Sequence, residues 1–145
     1  MKKKTDPRMH SAEHILNQTM DRMFDCGRCF SAHIERKKSK CDYHFVRELT
    51  AEEIAEIQDR VNRVIQDDLL VTETLVSREE AGRLYNTEKL PDDVDGRVRI
   101  VHMGDYDACP CIGDHVASTK EIGGFRITTT SYDNDVLRIR YKIKR

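Results

Sequence analysis

The first part of the chain repeats apolar residues every three or four positions, which is the pattern of an amphipathic helix. This helix is predicted over residues 7 to about 25, because Asp6-Pro7 places an N-cap residue before a proline at the first helical position. Gly27 is the predicted stop. We therefore expect one main helix close to the start of the chain.

Two capping boxes mark further helices. Thr50 with Glu53 precedes a long run of apolar residues at helical spacing and predicts the longest helix, from about 51 to 68. Ser77-Arg78-Glu79-Glu80 predicts a short helix to about Tyr85. The chain is thus expected to contain two substantial helices and one short one.

The remaining apolar residues follow strand patterns. Residues 136–144 alternate apolar side chains with Arg and Lys, which predicts a strand with one buried face and one basic face. Turn residues at 131–135 separate it from the preceding strand. The other predicted strands are 30–36, 41–47, 70–76, 98–101 and 123–131, with a loop at 86–96. The pattern predicts one α+β domain over 1–145, a mostly antiparallel sheet packed with two main helices.

Composition narrows the class of protein. With 145 residues, 38% apolar and 35% charged, the chain suits one domain. It lacks the run of about 18–20 apolar residues that a membrane span needs, and its lysine-rich start is not followed by the apolar stretch of a signal peptide. We therefore expect a cytoplasmic protein that does not engage a membrane.

Charge is segregated along the chain. The overall net charge is −1, but residues 1–50 carry +4, residues 51–95 carry −8 and residues 96–145 carry +3. The two basic ends could fold onto one face and contact a phosphate backbone. The alternative is that these Lys and Arg side chains only solvate the ends of strands.

The candidate chemistry lies in two short motifs. His10 and His14 are four residues apart on the first predicted helix, so both imidazoles emerge from one face, off the centre of the apolar stripe. Cys111 and His115 are also four apart, with Gly113 between them to allow a tight turn. One cysteine and three histidines form a reasonable zinc-binding set. The histidine pair alone could equally be solvated or hydrogen-bonded.

The five cysteines allow a competing arrangement. Cys26 and Cys29 form a C-x-x-C motif that, with Cys109 and Cys111, could make a closed four-cysteine metal site. C-x-x-C is also typical of redox pairs, although no βαβ pattern surrounds it here. The two metal sites share Cys111 and therefore exclude each other.

The motifs together resemble the editing domain shared by alanyl- and threonyl-tRNA synthetases, and most closely the free-standing AlaX-type alanyl-tRNA editing proteins. The resemblance spans nearly the whole chain, since it uses residues close to both ends. The matching residues are His10-Ser11-Ala12-Glu13-His14, Cys111-Ile112-Gly113-Asp114-His115, Thr119 and Glu121-Ile122-Gly123. The chain departs from the family patterns, C-G-G-T-H and C-R-G-P-H, at Ile112 and Asp114, which bears on substrate selectivity.

The resemblance implies a specific site and activity. His10, His14, Cys111 and His115 would bind Zn²⁺ beside the pocket for the aminoacylated 3′ end of tRNA. The implied activity is zinc-dependent hydrolysis, in trans, of misacylated tRNA, namely seryl-tRNA and also glycyl-tRNA of the alanine system. The expected partner is the tRNA acceptor end, with no DNA. A threonyl-type editing module and a non-catalytic RNA-binding module with a structural zinc are the other hypotheses.

The resemblance does not identify a catalytic residue, so several positions are only candidates. Asp114 and Gly113 lie between two expected ligands, and Ser31 could pair the hydroxyl of a seryl group. Main-chain donors near Gly113 and Gly123 could also position the ester. The basic run Arg36, Lys37, Lys38 and Lys40 is the candidate contact for acceptor-stem phosphates.

Overall fold

The computed structural model describes residues 6–84 and 97–144 and confirms the expected α+β class. The predicted loop at 86–96 and the predicted helix end at Tyr85 lie outside these residues. In chain order the elements are α1 (Pro7–Phe24), β1 (Ser31–His33), β2 (Ser39–His44), α2 (Ala51–Gln66), β3 (Val71–Ser77), α3 (Arg78–Leu84), β4 (Arg97–Met103), β5 (Asp107–Pro110), a 3-10 turn (Thr119–Ile122), β6 (Gly124–Asp133) and β7 (Val136–Lys144).

The strands form two antiparallel sheets instead of the single sheet expected. One has the order β1-β2-β7-β6 and the other the order β3-β4-β5. β5 was not predicted, because it has four residues and ends at Pro110, which pairs with Ile100. Periodicity identifies strands but not their partners, so the division into two sheets could not be read from the pattern.

β7 confirms the predicted alternation. Leu137, Ile139 and Tyr141 point inward and are fully buried, whereas the Arg and Lys residues between them lie on the outer face. β1 (Ser31–His33) is shorter than the predicted 30–36. β2 (Ser39–His44) begins earlier and ends earlier than the predicted 41–47, and Val46 beyond its end is exposed.

The larger core lies between the two main helices and the four-stranded sheet. α1 buries most of its apolar stripe, up to Met20, whereas Met23 near its end is only partly buried. Its N-terminus is capped as predicted, since the Asp6 carboxylate accepts hydrogen bonds from the N–H groups of Arg8 and Met9. The helix ends at Phe24, and Asp25 takes the left-handed conformation (φ 52°), so Gly27 is not the stop. Asp tolerates this conformation better than most residues, which is why the helix can end before the glycine.

The capping box of α2 is confirmed. Thr50 accepts from the Glu53 N–H and the Glu53 carboxylate accepts from the Thr50 N–H. The face of α2 that packs into the core carries Ile57, Val61, Val64 and Ile65. None of the helices in 6–84 and 97–144 has the length and apolar character that crossing a bilayer requires.

The segment from 111 to 118 is held against α1 by anchors at both ends. Its beginning is bound by Arg99 of β4, whose guanidinium donates to the carbonyls of Cys111 (3.2 Å) and Gly113 (2.8 Å). After its end, the Thr119 hydroxyl donates to the Val64 carbonyl (2.9 Å) and accepts from the Leu69 N–H (2.8 Å). These contacts bring the end of β5 over the first half of α1.

Candidate metal centre

The fold brings the four predicted metal ligands together. α1 presents His10 and His14 one turn apart, and the segment after β5 presents Cys111 and His115. One ligand atom of each residue lies within 4.8 Å of the others. The Cys111 Sγ lies 3.5 Å from Nε2 of His10 and 3.5 Å from Nε2 of His115. A tetrahedral zinc with bonds of about 2.3 Å to sulfur and 2.0–2.1 Å to nitrogen separates those atoms by about 3.5 Å. The donor set therefore fits a zinc ion.

Each of the three histidines has a polar neighbour at its Nδ1 atom. His10 Nδ1 donates to the backbone carbonyl of Asp114 (3.2 Å), and His115 Nδ1 lies 2.9 Å from the hydroxyl of Ser11. His14 Nδ1 faces the Asp107 carboxylate at 3.6 Å, an ion-pair distance. Among the described residues, this Nδ1 atom of His14 is the one buried side-chain nitrogen or oxygen without a hydrogen bond. These contacts leave Nε2 of His10 and Nε2 of His115 facing the Cys111 sulfur, as metal ligands would.

The electrostatics of the cluster favour a bound cation. Burial raises the pKa of the Cys111 thiol, but hydrogen bonds from the three histidines outweigh it and bring that pKa to about 3. Burial lowers the pKa of His115 to about 4. Burial also disfavours protonated His14, yet Asp107 and then Cys111 raise its pKa to about 9. A thiolate and a buried carboxylate thus attract positive charge, and a metal ion would replace the proton on His14.

Gly113 is needed because its backbone lies against the ring of His10. A Cβ atom at Gly113 would clash with the His10 ring, 2.6 Å from Nδ1 and closer still to Cε1. The Gly113 N–H also donates to the Cys111 Sγ (3.4 Å). Its conformation is not left-handed. The reason for glycine here is close approach to the ring, whereas the sequence suggested a tight turn.

The other candidates for the site lie at different places. The Asp114 side chain is exposed, and the contact of this residue with the site is made by its backbone carbonyl. Ser31 is exposed at the start of β1, opposite Asp42 of β2. The Gly123 N–H donates to the Lys120 carbonyl (3.3 Å), so this main-chain donor is already engaged.

The predicted phosphate-binding run lies on the four-stranded sheet. Arg36, Lys37 and Lys38 are exposed in the connection between β1 and β2, and Lys40 lies in β2 directly opposite Arg140 of β7. A cavity of about 190 Å³ opens at this position. Its lining residues are His33, Glu35, Lys38, Ser39, Lys40 and Arg140.

The alternative four-cysteine site is not formed by the residues that the structure describes. Cys111 joins the three histidines, and Cys29 lies with Glu13 and Cys41 instead. The thiol of Cys26 contacts the carbonyls of Met20 and Gly27. The C-x-x-C motif does not act as a unit because its two thiols point to different surroundings.

Sequence reasoning did not identify Ser11 or Asp107 as parts of the site. Ser11 lies between the two histidines on α1, so its position was visible although its role was not. The Asp107 carboxylate accepts hydrogen bonds from Arg28 (2.8 Å) and Gln18 (3.0 Å). Burial raises the pKa of this carboxyl, but His14 and Arg28 outweigh that effect and lower the pKa to about 2. No spacing rule indicates Asp107, because its contact with His14 exists only once β5 packs on α1.

Comparison with known proteins identifies sequence relatives of this chain. Residues 98–139, which include Cys111 and His115, match the family described as the threonyl and alanyl tRNA synthetase second additional domain. The chain is 33% identical over 129 residues to the alanine–tRNA ligase of Rickettsia bellii, an alignment that covers 84% of this chain and 14% of that protein. It is 34% identical over 140 residues to the alanine–tRNA ligase of Aeropyrum pernix, which covers 92% of this chain and 15% of the ligase.

The chain therefore spans about one seventh of the length of these relatives. The similarity extends over most of the 145 residues and agrees with the paired motifs at 10–14 and 111–115. On this evidence, the chain belongs to the editing-domain family represented by the second additional domain of threonyl- and alanyl-tRNA synthetases.

Proposed function

We propose that the chain is an aminoacyl-tRNA deacylase that hydrolyses misacylated tRNA with the help of a bound Zn²⁺. The observation that carries this proposal is the convergence of His10, His14, Cys111 and His115 in a member of a tRNA synthetase domain family. The proposed substrates are seryl-tRNA and glycyl-tRNA of the alanine system, and the proposed place of action is the cytoplasm. The alanine–tRNA ligases among the relatives support the alanine system.

The chemistry asks little of the protein, because an aminoacyl ester is already activated. When bound, zinc would supply positive charge that orients or polarises the ester. Other residues of the chain orient the three histidine rings. Ser11 contacts the ring of His115, and Asp107 faces the ring of His14. The carbonyl of Asp114 accepts a hydrogen bond from the ring of His10. The N–H groups of Gly113 and Gly123 are engaged within the protein. We therefore propose that the terminal hydroxyl of the tRNA helps to position the attacking water.

A second candidate is a non-catalytic RNA-binding module. The observation that favours it is the number of ligands: four protein atoms complete a tetrahedral zinc, and closed sites of this kind are typical of structural zinc. In that case the metal would join α1 to the segment after β5, and the bound tRNA would not be hydrolysed.

A deacylation panel distinguishes these functions. The 145-residue chain is mixed with seryl-, glycyl- and alanyl-tRNA of the alanine system and with seryl-tRNA of the threonine system, and release of the amino acid is followed over time. We expect hydrolysis of the seryl and glycyl substrates of the alanine system and sparing of alanyl-tRNA. Preference for seryl-tRNA of the threonine system would indicate a threonyl-type module, and binding without hydrolysis would indicate the non-catalytic module.

The metal is tested separately by elemental analysis. Chain freed of loosely bound ions should retain about one zinc per molecule, as four ligands of this kind imply. His10→Ala and Cys111→Ala should lose that zinc, since each removes one of the four ligands. Cys26→Ser is the matched control, because this cysteine lies outside the cluster. Zinc loss in the control with retention in His10→Ala would contradict the proposed site.

A further inference from the structure

A second group of metal-binding side chains lies beside the first. Glu13 of α1, Cys29 in the connection before β1 and Cys41 of β2 each place one ligand atom within 4.8 Å of the other two. The Cys29 thiol lies 3.5 Å from Oε2 of Glu13. None of these atoms belongs to the four ligands of the first centre. Two sulfurs and one carboxylate oxygen thus converge at a separate point.

The fold holds this group in place. The Cys29 N–H donates to Oδ1 of Asn17 (3.1 Å), and the same oxygen accepts from the hydroxyl of Tyr43 (2.7 Å). Cys41 is fully buried in β2, which is hydrogen-bonded to β1 on one side and β7 on the other. The Glu13 side chain is 14% exposed and is fixed by its place on α1. Two of the three ligands therefore lie on α1 and β2, and the contact with Asn17 holds the connection at Cys29 in place.

A cation at this point would stabilise a thiolate that the protein alone disfavours. The contact with Cys29, and next its burial, hold the pKa of the Cys41 thiol well above its usual range. A lone thiolate is therefore costly there, and the Glu13 carboxylate adds negative charge. The Arg28 guanidinium interacts electrostatically with Glu13 as well, but its hydrogen bonds are donated to Asp107. Paired thiolates with one carboxylate suit thiophilic divalent ions, which stabilise the thiolate form.

We propose that Glu13, Cys29 and Cys41 form a second metal site that binds a thiophilic divalent ion of the Zn²⁺ class. Three protein ligands leave a fourth position of a tetrahedral ion open to water or to another ligand. Oε1 of Glu13 lies 3.6 Å from Nε2 of His10, so this carboxylate stands between the two sites. Metal binding at this second site does not depend on the deacylase activity.

The experiment titrates Zn²⁺ into reduced, metal-free protein and measures bound metal after removal of free ion. Wild-type protein should bind about two equivalents, the second more weakly because it has three protein ligands instead of four. Cys29→Ser should keep the first equivalent and lose the second. Cys111→Ala should lose the first and keep the second. The double variant Cys29→Ser/Cys111→Ala should bind neither.

Controls separate metal binding from misfolding and from oxidation. Cys29 is only half buried, so Cys29→Ser should fold, and far-UV circular dichroism checks this; Cys41→Ala, at a fully buried position, is the confirming variant. Cys26→Ser should bind both equivalents. A single equivalent in wild-type protein, or a second equivalent that survives Cys29→Ser, would overturn the proposal. A Cys29–Cys41 disulfide found by mass spectrometry in reductant-treated, metal-saturated protein would also overturn it.

Discussion

At the scale of single residues, the candidate metal centre depends as much on the neighbours of its ligands as on the ligands themselves. Three different groups hold the three histidines: a hydroxyl, a carboxylate and a backbone carbonyl. Only the carboxylate of Asp107 carries charge. The identity of the side chain therefore matters at position 107, whereas at position 114 the contact comes from the backbone.

Gly113→Ala should lower zinc affinity by about tenfold or more, on the scale seen when groups that orient ligands are lost. The new Cβ would displace the ring of His10, which lies 2.6 Å from it at Nδ1. Zinc affinity is measured by competition with a chelator of known strength. Gly124→Ala is the matched control, because its Cβ would meet Lys144 at an ordinary 3.5 Å. Equal zinc affinities in the two variants would contradict the close approach.

Asp107→Asn should weaken zinc binding by about 10–100-fold, because the amide cannot offer His14 the negative charge of the carboxylate. The same chelator competition measures the change. Asp114→Thr should retain wild-type affinity, since the exposed Asp114 side chain is not the group that contacts His10. If Asp114→Thr lost zinc and Asp107→Asn kept it, the assigned roles of the two aspartates would be reversed.

The low pKa of Asp107 also predicts a pH dependence. Its folded-state pKa of about 2 lies below the ordinary 3.8, so the carboxylate stabilises the folded chain above pH 4, and this stabilisation is lost as the pH falls toward 2. The difference corresponds to about 2 kcal/mol. Urea unfolding of metal-free wild type and Asp107→Asn should show their stability gap shrinking by about that amount between pH 6 and pH 2. A constant gap would contradict the shift.

At the scale of elements, the site is assembled by the anchoring of one connecting segment. The segment from 111 to 118 is held by Arg99 of β4 at its start. Thr119 directly follows the segment, and its hydroxyl donates to the Val64 carbonyl in the last turn of α2. Thr119 is fully buried, and its hydroxyl is the link between α2, Leu69 and the 3-10 turn. This explains physically why a threonine suits the position after the metal-binding motif.

Thr119→Val should destabilise the fold by about 1–3 kcal/mol, because the valine keeps the shape but leaves the Leu69 N–H and the Val64 carbonyl without this partner. Chemical denaturation measures the change in unfolding free energy. Thr130→Val, on the half-exposed part of β6, is the control and should stay within about 0.5 kcal/mol. A Thr119→Val variant as stable as the control would show that the hydroxyl contributes no net stability.

At the scale of the whole molecule, charge is distributed unevenly between the helices and the sheet. On α2, Arg60 and Arg63 are paired with acidic residues one turn before them. On the outer face of the four-stranded sheet, Arg138 is paired with Asp42, whereas Lys40 lies directly opposite Arg140. The sheet therefore brings Lys38, Lys40 and Arg140 together around one cavity at the predicted phosphate contact.

Binding of tRNA should weaken as salt is added, with a log–log slope of roughly −0.7 to −0.9 for each phosphate neutralised. Replacing Lys37, Lys38 and Lys40 together by serine should flatten that slope by about two or three such steps. The measurement is a filter-binding or fluorescence titration at several salt concentrations. Replacing Arg60 and Arg63 on α2 is the control and should leave the slope unchanged. An equal slope in the lysine variant would remove this run from the interface.

The sequence by itself determined the elements whose signals are local. The caps at Asp6 and Thr50 and the alternation of 136–144 report interactions within a few residues, and the structure confirms all three. The four residues of the candidate metal centre could also be named from the sequence, because the members of each pair are four residues apart and the paired motifs indicated the family. In these cases the information lies within one turn or one strand.

The tertiary structure decided everything that depends on which distant segments meet. The division into two sheets, the pairing of Pro110 with Ile100, the contact between Asp107 and His14, and the approach of Cys29 to Cys41 join residues from different elements. The sequence shows a glycine at position 113, but the ring of His10 that requires it lies on another element. Local periodicity carries no information on such contacts, because they form only when burial of the apolar faces brings the elements together.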